Sequence, residues 1–271
     1  MMRSLWTAAS GMISQQINID TISNNLANVN TIGYKKESAE FKTLLYQTIQ
    51  EKTTDSEGNA KPIPAQVGLG VRNSAVTTYY TQGASQETGN TYDFAIQGKG
   101  FFMVQMKDGG VAYTRNGSFS LSMGSEGMVL ATTGGNPVLD VNGKPIIFGK
   151  DYDTAKITID NEGNFCYPDA KNNAVPIGIT IGVAQFNNPA GLLKSSDSIV
   201  KETEASGSAV WGVNAAKNTT VSIKQGYLEA SNVQTVDEMV NLIVAQRAYE
   251  MNSKIISASD EMLQQANNLR G

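Results

Sequence analysis

Residues 5–29 read LWTAASGMISQQINIDTISNNLANV, and their spacing decides how the chain is built. Taken at alternating steps of three and four they give Leu5, Ala8, Met12, Gln15, Ile19, Ile22, Leu26 and Val29, seven of the eight apolar. A repeat of that period is a coiled-coil seam rather than a general amphipathic face. Asn28, Asn30 and Gly33 follow, residue types that tolerate the left-handed backbone with which a helix stops. The opposite end repeats the pattern with Val244, Ala248, Met251, Ile255, Ala258, Met262, Gln265 and Leu269, again one Gln among eight. Thr235-Val236-Asp237-Glu238 just before it fits a capping box, with acids where the helix dipole favours them. Both ends are predicted to be helices, about 40 and 50 Å long.

These helices are unusually sticky and unusually uncharged. A second apolar row, Leu242, Tyr249, Ile256 and Leu263, runs beside the C-terminal seam, so the apolar face is wider than one partner helix covers. The first thirty residues carry two charges, Arg3 and Asp20. A helix facing water normally displays Lys and Glu. Such helices are expected to be surrounded by protein, either as a hairpin buried in its own monomer or by neighbouring copies. Periodicity alone leaves both open.

Between these ends the period switches to two. Val76-Thr77-Thr78-Tyr79-Tyr80, Phe101-Phe102-Met103-Val104-Gln105, Lys156-Ile157-Thr158-Ile159-Asp160 and the run Ile177 to Val183 read as strands. Turn signals separate them: Lys107-Asp108-Gly109-Gly110, Arg115-Asn116-Gly117-Ser118, Asn142-Gly143 and Asn161-Glu162-Gly163-Asn164. Closely spaced strands without helices between them predict an antiparallel body. The expected class is α+β: two terminal helices forming an antiparallel coiled-coil stalk, with a β-rich body inserted between them. The expected segments are an N-terminal helix (1–33), a connecting region (34–90) with an extended arm at about 46–66, the β body (91–230) and a C-terminal helix (231–271). One two-helix pairing cannot cover so wide an apolar face, so polymerisation is expected.

Composition narrows the chemistry. The 271 residues include 21 Lys plus Arg, 25 Asp plus Glu, no His and one Cys, Cys166. A net charge of −4 offers no electrostatic footprint for nucleic acid. Without His, imidazole triads and His-ligated metals are excluded; with one Cys, so are CxxC pairs and an intrachain disulfide. Gly98-Lys99-Gly100 and Gly68-Leu69-Gly70 lack the third glycine of a dinucleotide fingerprint. Asp160-Asn161-Glu162-Gly163-Asn164 lacks the terminal Glu of a calcium loop and reads as a hairpin turn. Only paired carboxylates remain as a catalytic resource, and nothing in the pattern makes two of them converge. No enzyme activity, metal or cofactor is expected. The opening ten residues hold one basic side chain and no apolar block, so a cleaved Sec-type leader is not expected either.

Two long motifs then become informative together. Ala8-Ala9-Ser10-Gly11-Met12 with Asn24-Asn25-Leu26-Ala27-Asn28-Val29-Asn30-Thr31-Ile32-Gly33-Tyr34 closely resembles the start of bacterial flagellar rod and hook proteins. Ser231-Asn232-Val233-Gln234-Thr235, continuing to Gln246-Arg247-Ala248-Tyr249-Glu250, resembles their end. Phe94-Ala95-Ile96-Gln97-Gly98 and Tyr113-Thr114-Arg115-Asn116-Gly117 look like the family's β segment. The length, and the stretch Glu40 to Ile49 leading into an arm with Tyr46, Glu51, Lys52, Pro62 and Pro64, resemble the distal-rod branch more than the longer hook branch.

The resemblance implies a helical homopolymer, a hollow shaft carrying torque from motor to hook and giving later subunits a channel. It implies as partners other copies of the chain, proximal rod proteins, the hook or its cap junction, the peptidoglycan- and outer-membrane-ring bushings and the type III export apparatus. It also implies export to the basal body, in the periplasm, without a cleaved signal. The residues expected at the assembly interface are the two seams together with Leu242, Tyr249, Ile256 and Leu263.

Overall fold

The long patterned ends are helices. In the computed structural model, which describes residues 2–50, 65–124, 127–149, 152–169, 173–212 and 221–268, α1 spans Met2–Ala27 and α2 spans Thr235–Asn268. Neither contains proline, and Asp237 and Glu238 occupy the first turn of α2, where negative charge offsets the unpaired N–H groups. The chain divides into two compact units. One gathers both helices with Glu37–Thr78; the other joins Asn28–Lys36 to Tyr79–Val233.

In the first unit the helices run antiparallel. Ser4 Oγ lies 3.5 Å from Ser259 Oγ toward one end, and Asn25 Nδ2 donates to Glu238 Oε2 at 3.0 Å toward the other. Four strands follow α1: β1 (Glu37–Thr43), β2 (Tyr46–Gln50), β3 (Ala65–Gly68) and β4 (Val71–Thr78). β1 pairs antiparallel with β4, with a bulge between Glu40 and Phe41, and β2 pairs with β3. Asn25 fixes where this ribbon starts. Its side chain donates to Glu37 O at 2.8 Å and accepts from Glu37 N at 2.9 Å. Ser10 Oγ accepts from Val71 N at 3.3 Å, which seats β4 on α1.

The second unit is antiparallel β throughout its described ladders. It opens with β5 (Ser85–Glu87), β6 (Phe94–Gln97), β7 (Phe101–Gln105), β8 (Val111–Thr114), β9 (Phe119–Met123) and β10 (Met128–Thr132). A six-stranded sheet places β8 and β7 at its centre, flanked by Ile199–Lys201 and Val183–Gln185. Alternate residues of β7 enter different cores: Phe102 and Val104 one, Phe101 and Met103 the other. The first core is knitted by edge-on rings, Phe102 against Phe119 and both Phe94 and Phe148 against Phe165. Burial on both faces explains why Phe101 to Val104 is uniformly apolar instead of alternating.

Two predicted strands differ. The run Ile177 to Val183 serves two sheets: Ala174–Thr180 pairs with Asn164–Pro168, while Val183–Gln185 turns to pair with β7. In Lys156 to Asp160 only Thr158–Ile159 pairs as a strand, because a 3₁₀ turn at Thr154–Lys156 is nucleated by Asp153, whose side chain accepts from Ala155 N at 3.2 Å.

Candidate functional site

The face of α2 that meets α1 is not the most apolar one. Its buried residues are Glu238, Ala245 and Ser259, with Leu242, Ala248, Asn252 and Ile256 half-buried beside them. The expected seam points away: Val244 is 62% exposed, Met251 59%, Ile255 46% and Met262 49%. Tyr249 and Leu263 are also exposed, as are Val236, Met239, Val240 and Ile243. The seam residue Leu269 and the arm residues Glu51, Lys52, Pro62 and Pro64 lie outside the described residues.

On α1 the predicted row faces inward. Ala8 and Ile22 are buried, and Leu5, Met12, Ile19 and Leu26 are half-buried; Val29, also half-buried, lies past the end of α1 at Ala27. The reason is size and polarity. Where the helices touch, small and polar side chains meet, Ser4 with Ser259, Gly11 with Asn252 and Asn25 with Glu238, beside half-buried Leu242 and Ile256, and the row Val244, Met251, Ile255 and Met262 is left outside. A β-carbon on Gly11 would meet the Asn252 amide nitrogen at 2.9 Å. The free apolar surface continues on the ribbon, where Phe41, Leu45, Tyr46, Ile49, Val67 and Leu69 are exposed.

A second constellation lies in the β unit. Glu229, on the strand Tyr227–Glu229, is buried between two cations: Lys35 Nζ at 2.6 Å from Oε1 and Arg115 Nε at 2.6 Å from Oε2. Gly83 N also donates to Oε1 at 2.8 Å. Lys35 Nζ donates in addition to Thr81 O at 2.7 Å, while the Arg115 guanidinium donates to Gly98 O at 2.8 Å and to Gly100 O. Burial alone would raise the Glu229 carboxyl, but Arg115 and Lys35 outweigh it and hold the group below the usual carboxylate range. Burial is also the main influence on Lys35, lowering its ammonium against the pull of Glu229. Each side-chain nitrogen of Lys35 and Arg115 donates to protein here, so the cluster is a cross-tie rather than a ligand site.

The motif residues bracket this tie. Gly33 N donates to Glu229 O at 2.8 Å, and Gly33 has φ +69° with Arg115 backbone atoms 2.7–2.8 Å from where a β-carbon would stand, so only glycine fits. Thr31 Oγ1 donates to Asn28 Oδ1 at 3.1 Å. Asn232 accepts from Lys36 N at 2.7 Å and donates to Tyr79 O at 2.9 Å, beside half-buried Ser231 and buried Val233. Of the others, Asn24 approaches Glu37 Oε2 at 3.5 Å, while Ala27, Asn30 and Gln246 are exposed and Arg247 pairs with Glu250 at 2.8 Å on the surface. The sequence reading missed Glu229, Lys35, Arg115, Asn252 and Glu238 as interacting groups. An acid in the otherwise apolar run Tyr227-Leu228-Glu229-Ala230 was the available signal.

Cys166 is buried, and burial pushes its thiol up. No helix among the described residues is long and apolar enough to cross a membrane.

Comparison with known proteins covers all three regions. Residues 5–35 match the model of the flagella basal body rod protein family, 95–167 the D1 domain of flagellar hook protein FlgE/F/G, and 224–269 the C-terminal domain of flagellar basal body rod FlgEFG proteins. The chain is 44% identical over 272 residues to the flagellar basal-body rod protein FlgG of Borreliella burgdorferi, covering 100% of this chain and 99% of that one. The FlgG proteins of Agrobacterium fabrum (41%, covering 96% and 97%) and Bacillus subtilis (38%, covering 100% of each) are similar over the same span. The chain belongs to the FlgG family of flagellar basal-body rod proteins. It is a structural subunit of the flagellar distal rod, a component of the basal body. The FlgG relationship gives both constellations a setting, an outward apolar helix face on a subunit of a polymer and a charged tie inside its β unit.

Proposed function

We propose that this rod subunit polymerises helically into a rigid hollow shaft, with α1 and α2 as an antiparallel coiled-coil stalk packed against neighbouring copies. The observation that carries the reading is the exposed aliphatic row of α2, Val244, Met251, Ile255 and Met262. Water contact along a helix face this apolar is unfavourable, and burying each side chain contributes about 1.5–3 kcal/mol. A neighbouring copy supplies the cover. The low charge of α1, Arg3 and Asp20, lets many copies pack around one lumen without mutual repulsion.

In this role the shaft transmits torque from motor to hook, forms part of the export channel, and contacts proximal rod proteins, the hook or its cap junction and the two ring bushings. The subunit itself leaves through the type III exporter and performs no catalysis. Cryo-electron microscopy of the polymer grown from the purified chain tests the reading. The expected result is a straight tube with α2 buried between subunits. A supercoiled tube would refute the rigid shaft, and a chain that stays monomeric at high concentration would refute polymerisation.

A further inference from the structure

Three contacts between α1 and α2 lie on one seven-residue repeat of each helix. On α1 the positions are Ser4, Gly11, Asn18 and Asn25; on α2 they are Glu238, Ala245, Asn252 and Ser259. Ser4 meets Ser259, Gly11 meets Asn252, and Asn25 meets Glu238, which sets Asn18 opposite Ala245 in the same register. Glu238, Ala245, Ser259 and Asn25 are buried. The ladder is polar or small at every rung. Aliphatic side chains at those rungs would bind the helices more strongly, so its composition needs another reason.

Register supplies one. The apolar row Leu242, Tyr249, Ile256 and Leu263 also repeats every seven residues, so a slip by one heptad, about 10 Å, presents the same apolar faces and apolar packing does not resist it. The ladder does. A slip in one direction puts Asn252 against Ser4; in the other, against Asn18. Both residues carry the β-carbon that Gly11 lacks, in a place where such an atom stands 2.9 Å from the Asn252 amide. The second direction also carries Glu238 past the end of α1 at Ala27, stripping its bond from Asn25. The first lets Glu238 meet Asn18 but sets Asn25 beyond the start of α2 at Thr235, so Asn25 gives up that bond as well, and the Asn252 amide must turn aside for Ser4.

We infer that Gly11/Asn252 and Asn25/Glu238 are a two-part register key that locks the antiparallel helix pair against sliding by a heptad. Buried polar groups that specify register at some cost in stability are well attested between helices. The inference rests on the rod reading for its setting, because a shaft subunit whose helices could slide would have no fixed length.

The test uses full-length chain with Cys166→Ser, spin labels at exposed Gln16→Cys and Gln264→Cys, and polymer diluted with unlabelled subunits. The native register separates the two positions axially by about 25 Å, from 17 residues at 1.5 Å each. The unaltered ladder should give one distance. Asn252→Ala, Glu238→Leu and the two combined should add a population displaced by about 10 Å, largest in the double variant, while Glu238→Gln, which keeps the hydrogen bond, should not. The single variants keep the readout if the double one fails to assemble. An unshifted single distance in every variant overturns the key, as does a displaced population with the ladder intact. Absence of polymer from the unaltered chain overturns the rod reading instead.

Discussion

Glu229 shows what one residue contributes. Its carboxylate neutralises Lys35 and Arg115, which come from segments 194 and 114 residues away and are themselves buried. Replacing it by Gln leaves two buried cations without a counter-charge, a change that costs about 3–5 kcal/mol. Its folded carboxyl is held below the unfolded value, so the unfolded chain binds the proton first as pH falls. The stabilisation is therefore complete above about pH 4.3, the ordinary glutamate value, and is lost as pH drops through the folded value. Denaturant titrations from neutral to acid pH should show Glu229→Gln less stable at pH 7 and with a flatter acid limb. Parallel curves would mean that the acid loss arises elsewhere. None of this was legible as spacing, because Lys35, Arg115 and Glu229 belong to three separate segments; only Gly33 and the asparagines around the tie stood out.

At the scale of the element, the helices were legible because their period is carried by residues over seven turns of α1 and nine of α2 (roughly, at 3.6 residues per turn). Which row faced which was not. A count of apolar positions ranks Val244, Met251, Ile255 and Met262 first, whereas the contact with α1 is made by Glu238, Ala245 and Ser259. The β unit was legible by its turns, and less so where both faces of a strand are covered, as in β7. The helix assignment separates two substitutions that the repeat alone treats alike. Ile22 is buried within its own subunit, so Ile22→Asp should unsettle the helix pair itself, by several kcal/mol. Ile255 is half exposed, so Ile255→Asp should leave the helical circular dichroism of the isolated chain unchanged and abolish sedimentable polymer. Normal polymer from Ile255→Asp would remove this row from the interface.

For the whole molecule, the balance between apolar burial and charge fixes how assembly responds to salt. The outward row of α2 is almost purely aliphatic; beside it Arg247 and Glu250 pair with each other, while Lys254, Asp260 and Glu261 are exposed. Each copy carries a net charge of −4, so stacking copies sets like charges side by side. Sodium chloride screens that repulsion over about 8–10 Å at physiological strength and leaves the apolar contact intact. Sulfate does both and further favours burial, because it is excluded from the protein surface. The critical concentration for polymerisation should therefore fall slightly as chloride is raised and fall further in sulfate at equal ionic strength, measured by sedimentation of purified subunit. Assembly held by ion pairs between subunits would respond the other way, its critical concentration rising with chloride. That outcome would move the interface from the aliphatic row of α2 to charged side chains elsewhere on the subunit.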